Sequence, residues 1–119
     1  MSAPGLQGLR PWIVQRISAA FIAVFILYFA FAIVQFETFD FDHWHNWLAA
    51  PLNNIAMALF IVAVLWHAWI GVRDVILDYV HPVVLRMFLF TLVMSVLVGS
   101  GLWGLRALFN LKMVLVAVK

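Results

Sequence analysis

IAMALFIVAVLWHAWIGV, residues 55–72, is the stretch on which the fold turns. It contains no Asp, Glu, Lys or Arg, and His67 is its one ionisable side chain. Its length is close to the roughly 20 residues that carry an α-helix through a bilayer. Backbone groups in lipid must satisfy one another, so a helix is the default. Outward from it, Ile17 to Phe36 and Met87 to Leu105 are likewise free of those four residue types. These runs predict helices over about residues 13–36, 52–78 and 83–106. Pro51 stands before the second helix, with Asn53 or Asn54 as a candidate N-cap, and Pro82 stands where the third would start. Residues 107–119 form an apolar tail that either lies along the interface or extends the third helix. The expected fold class is an all-α membrane protein with three transmembrane helices in a single integral-membrane domain.

The totals agree. Of 119 residues, 67% are hydrophobic and only 10% charged, too few charges to cover a soluble domain. There is no cysteine, which excludes disulfides, thiolate metal sites, iron–sulfur clusters and covalent haem attachment. A net charge of +2 forms no basic patch, so no nucleic-acid partner is expected.

The first link, FETFDFDHWHNW at residues 36–47, carries Glu37, Asp40 and Asp42 and no Lys or Arg. Arg10 and Arg16 precede the first helix, and Arg73 and Arg86 flank the second link. The positive-inside rule therefore places the N-terminus and the 73–86 link in the cytoplasm, or the matrix. Arg106, Lys112 and Lys119 run against this assignment, but the short loops give the cleaner contrast. Ala30-Phe-Ala32 and the basic start resemble a signal peptide, yet the apolar run is long for one, and a retained helix is expected. Gly99-Ser-Gly101-Leu-Trp-Gly104 matches G-x-G-x-x-G but lies within an apolar helix, where small residues serve close helix packing rather than dinucleotide binding.

His67 is the residue that asks for a function, because an ionisable side chain inside a membrane helix is costly. Ala56, Phe60, Ala63, Gly71, Asp74 and Asp78 share its face. The small members leave a slot for another helix or a planar ligand. Spacing alone leaves two readings open: a hydrogen bond to a neighbouring helix, or axial ligation of haem iron. His43, His45 and His81 lie in the links, so a bis-histidine haem would need its second ligand from another chain. His43-x-His45 beside Trp44 and Trp47 reads better as an interfacial anchor than as a metal site. At the inner end of the second helix, Asp74 reads as a solvated partner of Arg73. The Tyr79 phenol could donate to a quinone carbonyl, and Asp78 could tune or relay a proton. Arg16 could snorkel to headgroups or pair with an anion such as a haem propionate.

HAWIGVRDVILDYVHPVVLR, residues 67–86, resembles the signature of the D-type hydrophobic anchor subunit of succinate dehydrogenase, respiratory complex II. WIVQRISA, residues 12–19, is similar to the start of that family's first helix, with Arg16 at its basic position. The resemblance covers most of the chain but not the acidic link or the tail. It implies half of a heterodimeric haem-binding helical bundle, completed by a cytochrome b subunit and docked to iron–sulfur and flavoprotein subunits. It implies His67 as an axial ligand of haem b, with Gly71 and Arg16 in the haem site, and Tyr79 and Asp78 at the ubiquinone site. Succinate would be oxidised on another subunit, with electrons passing to ubiquinone in the respiratory chain and tricarboxylic acid cycle. The alternatives are a fumarate reductase-type anchor or a small non-redox membrane protein. MSAPGLQGLR lacks an Arg- and Ser-rich presequence, so a bacterial inner membrane is expected rather than a mitochondrial one.

Overall fold

The computed structural model describes residues 4–118, with side chains for residues 9–111. Four helices follow in order: α1 (Pro4–Val34), α2 (Phe41–Ala49), α3 (Pro51–Tyr79) and α4 (Val83–Val118). No strand occurs among the described residues. Three of the helices are long and apolar enough to cross a membrane, namely Leu9–Val34, Pro51–Tyr79 and Val83–Leu111. At most 11% of the residues in any span's most apolar window are buried within the chain. Side chains this apolar and this uncovered suit lipid or protein neighbours rather than water. The chain is thus a multi-pass, all-α membrane protein.

The boundaries differ from the expected ones for local reasons. α1 begins at Pro4 rather than near residue 13 and carries Pro11 in its interior. Pro4 suits a helix's first turn, where an N–H has no partner to lose. Pro11 omits its own bond to the preceding turn, yet the helix continues through it. α3 is capped by Ala50 through no side-chain bond, with Pro51 at its start, so neither asparagine is the N-cap. Asn54 instead lies buried and donates Nδ2 hydrogen bonds to the carbonyls of Leu48 and Leu108, at 3.2 and 3.0 Å. It thereby ties the end of α2 to α4 through α3. The apolar tail continues α4 as helix through Val118; Lys119 lies outside the described residues.

The acidic link also folds. Asp40 caps α2 by accepting from the His43 backbone N–H at 2.9 Å. That bond first, and the His43 ring second, hold the Asp40 carboxyl down at about 2. Asp42 in the first turn complements the helix dipole. Ala50 alone separates α2 from α3.

α3 is the central helix, with α1 on one flank, α4 on the other and α2 lying across α3 and α4 at one end. α4 comes close because it has no side chain at Gly101, which presses on Leu65, or at Gly104, where an added Cβ would lie 3.6 Å from Ile61. Gly99 meets nothing within 4 Å, so two of the three glycines in the G-x-G-x-x-G string serve packing. On the other flank Phe25 of α1 stacks on Phe60 of α3, ring centroids 4.5 Å apart.

Candidate functional site

His67 is half-buried on the face of α3 that meets α1. Its Nδ1 lies 3.0 Å from Ser18 Oγ across the helix pair. Ser18 is itself buried, and its hydroxyl donates to the carbonyl of Gln15, one turn back, at 3.0 Å. The other ring nitrogen, Nε2, has no hydrogen-bond partner among the described residues.

The small residues around His67 do two different things. Gly71 admits α1: a Cβ added there would lie 3.8 Å from Gln15 Nε2. The slot expected at Gly71 is therefore filled by a neighbouring helix of the same chain, and Phe60 is covered likewise by Phe25. Ala63, one turn from His67, instead lines an open apolar groove of about 510 Å³ along the α1–α3 seam. Ser18, Phe21, Leu59 and Trp66 share this groove, so the histidine's hydrogen-bond partner stands at its edge. A second apolar cleft of about 500 Å³ opens beside it, and Val14, Val62 and Trp66 line both.

Toward the C-terminal end of α3 the side chains separate. Arg73 pairs with its neighbour Asp74 at 3.1 Å, as a solvated helix end would. Asp78, Tyr79 and His81 are exposed and make no side-chain hydrogen bond to the described residues. Tyr79 is 79% exposed, with its hydroxyl free. His67 and Tyr79 stand on one unbroken helix. Twelve residues separate them, about 18 Å along the axis. Arg16 is not brought to His67. It is two residues from Ser18, roughly 200° round α1, and its guanidinium lies over the Trp12 ring, 5.3 Å from the centroid. Tyr79 and Asp78 are thus placed on the surface at the α3–α4 end, Arg16 on the surface of α1 within about a turn of the His67 level, and of these residues only His67 and Gly71 are drawn into the α1–α3 contact.

Two polar residues in this region escaped the sequence reading as participants. Ser18 looked like an ordinary small residue in an apolar run. Arg86 donates from Nε to the Val80 carbonyl at 2.8 Å and from Nη2 to the Leu77 carbonyl at 3.2 Å. It closes the last turn of α3 around Asp78 and Tyr79, where a cation also complements the helix dipole. Its position just beyond Pro82 was the available signal. Among the described residues no three His, Cys, Asp or Glu side chains gather into a metal-binding group. Any metal held here would rest on a single histidine from this chain. The His43 ring is engaged by Asp40 at 2.7 Å.

Comparison with known proteins fits this layout. The pattern that defines the succinate dehydrogenase/fumarate reductase transmembrane subunits matches residues 7–102. A succinate dehydrogenase hydrophobic membrane anchor subunit from Coxiella burnetii is 31% identical over 103 residues, which cover 87% of this chain and 90% of that protein. A protein of the same description from Rickettsia conorii is 28% identical over 93 residues, covering 77% and 74%. The matched region contains all three membrane-crossing helices in whole or large part, together with His67, Gly71, Asp78 and Tyr79. On this evidence the chain belongs to the family of succinate dehydrogenase/fumarate reductase transmembrane subunits.

Proposed function

We propose that the chain is the hydrophobic anchor of a succinate:quinone oxidoreductase in a bacterial inner membrane, that His67 ligates haem b, and that Tyr79 and Asp78 form part of the ubiquinone site. The observation that carries the reading is His67: one ring nitrogen meets Ser18, and the other has no hydrogen-bond partner among the described residues. Ser18, though not the histidine itself, lines an open apolar groove. The residues present suit haem b. The donor is a single imidazole on an otherwise apolar stretch of helix, and the absence of cysteine requires non-covalent retention. Haem b, when bound, supplies a one-electron redox centre within the membrane.

This chain's side chains have definable tasks. His67 would hold the haem iron through one nitrogen, with the second ligand supplied by a cytochrome b subunit. Arg16 has no carboxylate partner among the described residues. A guanidinium at that level can swing from Trp12 to a propionate of the haem. Tyr79 donates a hydrogen bond from its hydroxyl to a quinone carbonyl at the membrane boundary, and Asp78 beside it relays from the aqueous side one of the two protons that two-electron reduction to the quinol takes up. Both side chains are uncommitted among the described residues, which suits a site completed by iron–sulfur and cytochrome b subunits. Succinate oxidation belongs to the flavoprotein subunit. The arginines before α1 and around the α3–α4 turn, set against the acidic α2 link, orient the N-terminus and Tyr79 toward the cytoplasm.

The test is purification of the native complex through a tag on this chain. A haem b absorption spectrum and succinate-driven ubiquinone reduction are expected. A haem-free preparation with no succinate:quinone activity would reject the proposal.

A further inference from the structure

We infer that Ser18 is the positioning residue that sets the tautomer and rotation of His67, making Nε2 the ligating nitrogen; this rests on the haem reading above. A serine hydroxyl has one proton. Ser18 Oγ lies 3.0 Å from the Gln15 carbonyl, and a carbonyl oxygen only accepts. This bond to the preceding turn is habitual for serine inside helices. If the proton went elsewhere, two oxygen atoms would face each other at 3.0 Å with no hydrogen between them. The proton is therefore committed to Gln15. The 3.0 Å contact with His67 must then run the other way, Nδ1–H donating to Ser18 Oγ. A neutral imidazole has one N–H, so the lone pair is on Nε2. The opposite tautomer would carry its proton on Nε2, where iron binds, and could not serve as a ligand there.

The same bond fixes the ring's rotation from outside its own helix. Ser18 and His67 are 49 residues apart and meet only because α1 packs on α3. Ser18 is 8% exposed, so water is a poor substitute for the hydroxyl. Donation through the non-ligating nitrogen orients a metal-bound histidine and strengthens it as a base, and loss of such a partner typically costs ten- to a hundred-fold in metal affinity.

The experiment compares wild type, Ser18→Ala, Ser18→Thr, Ser18→Cys and His67→Ala in the full complex. It measures haem per complex, haem loss to a soluble acceptor protein, the low-spin electron paramagnetic resonance signal and the haem midpoint potential. Ser18→Ala should lose haem about ten-fold faster or more, shift or broaden the low-spin signal and raise the potential, because a weaker base favours ferrous iron. Ser18→Thr keeps the hydroxyl and should restore all three. Ser18→Cys, a weaker partner of similar size, should fall between and serves if the alanine variant does not assemble. Ser18→Ala or Ser18→Cys matching wild type, or Ser18→Thr as impaired as alanine, would overturn the inference. It would leave the haem reading intact provided that His67→Ala abolishes the low-spin signal. An unchanged signal in His67→Ala would instead overturn the haem reading and the Ser18 inference with it.

Discussion

The two ends of this bundle are finished differently. At the α2 end a set of polar groups pairs within the chain, although Glu37, Asp42 and His45 make no side-chain hydrogen bond to the described residues. Tyr28 donates to Asn53, Asp40 caps α2, and buried Asn54 reaches carbonyls of α2 and α4. Aromatic rings fill the space between: Phe29 packs edge-on against Trp44 and Trp47, at 5.3 and 5.4 Å. At the α3–α4 turn, Asp78, Tyr79 and His81 stand exposed with no side-chain hydrogen bond to the described residues. Arg86 holds only the backbone there. An end with a free phenol and carboxylate beside a well-capped helix end suits chemistry with a ligand or a second subunit.

Substitutions can break that contrast. The largest effect on stability is expected at the finished end. Asn54→Ala removes two buried hydrogen bonds to carbonyls and should destabilise the chain by about 1–3 kcal/mol, read as a lower denaturant midpoint in mild detergent. It should leave quinone kinetics unchanged in the complex that does assemble. Tyr79→Phe should do the reverse. Stability stays near wild type, while quinone-dependent turnover falls several-fold, as expected for a lost hydrogen bond of order 1 kcal/mol. Succinate oxidation with an artificial acceptor upstream of quinone should be spared. Normal quinone kinetics in this variant would remove Tyr79 from the site.

Arg86→Ala should give a mixed and smaller result. It leaves two carbonyls at the end of α3 without their charged donor, so amide exchange at Leu77–Tyr79 should quicken and the quinone KM should rise. Lysine, with a single ammonium in place of the guanidinium fork, should recover only part of this. The smallest effect is a pH dependence confined to α2. The Asp40 carboxyl is held below its ordinary value, to about 2, by the His43 backbone N–H and then by the His43 ring. A depressed folded-state value contributes stability above the unfolded value of about 4 and loses it as pH falls. Exchange protection in α2 should thus be constant on this account above about pH 4 and decline toward pH 2. Asp40→Asn, still a good cap but uncharged, should flatten that decline.

The spans were legible in the sequence because composition alone specifies them, and lipid permits few alternatives to helix. α2 was not. Nine residues with mixed polarity inside an acidic link carry no periodic signal longer than two turns, and the cap at Asp40 is informative only once the helix is known. Gly101 and Gly104 were legible as packing residues, since a glycine in an apolar helix has few other uses. The site was half legible. His67 and Tyr79 announce themselves, because a histidine in an apolar helix and a phenol at its boundary are costly or uncommon. Ser18 does not, since a hydroxyl in a helix can bond its own backbone, and no local pattern reveals a partner 49 residues away. Of the two occupants expected for the slot at Gly71, another helix or a planar ligand, the helix is found; spacing on α3 shows which side chains are small, not that Gln15 of α1 stands there.

The central claim is that the unengaged nitrogen of His67 is an iron ligand. The most direct measurement is the low-temperature electron paramagnetic resonance spectrum of the assembled complex carrying His67→Ala. The account predicts loss of the low-spin bis-histidine signal, through departure of the haem or conversion to a high-spin form, with the subunits still copurifying. A low-spin signal identical to wild type in that complex would contradict it and leave His67 as a hydrogen-bonding residue between α1 and α3.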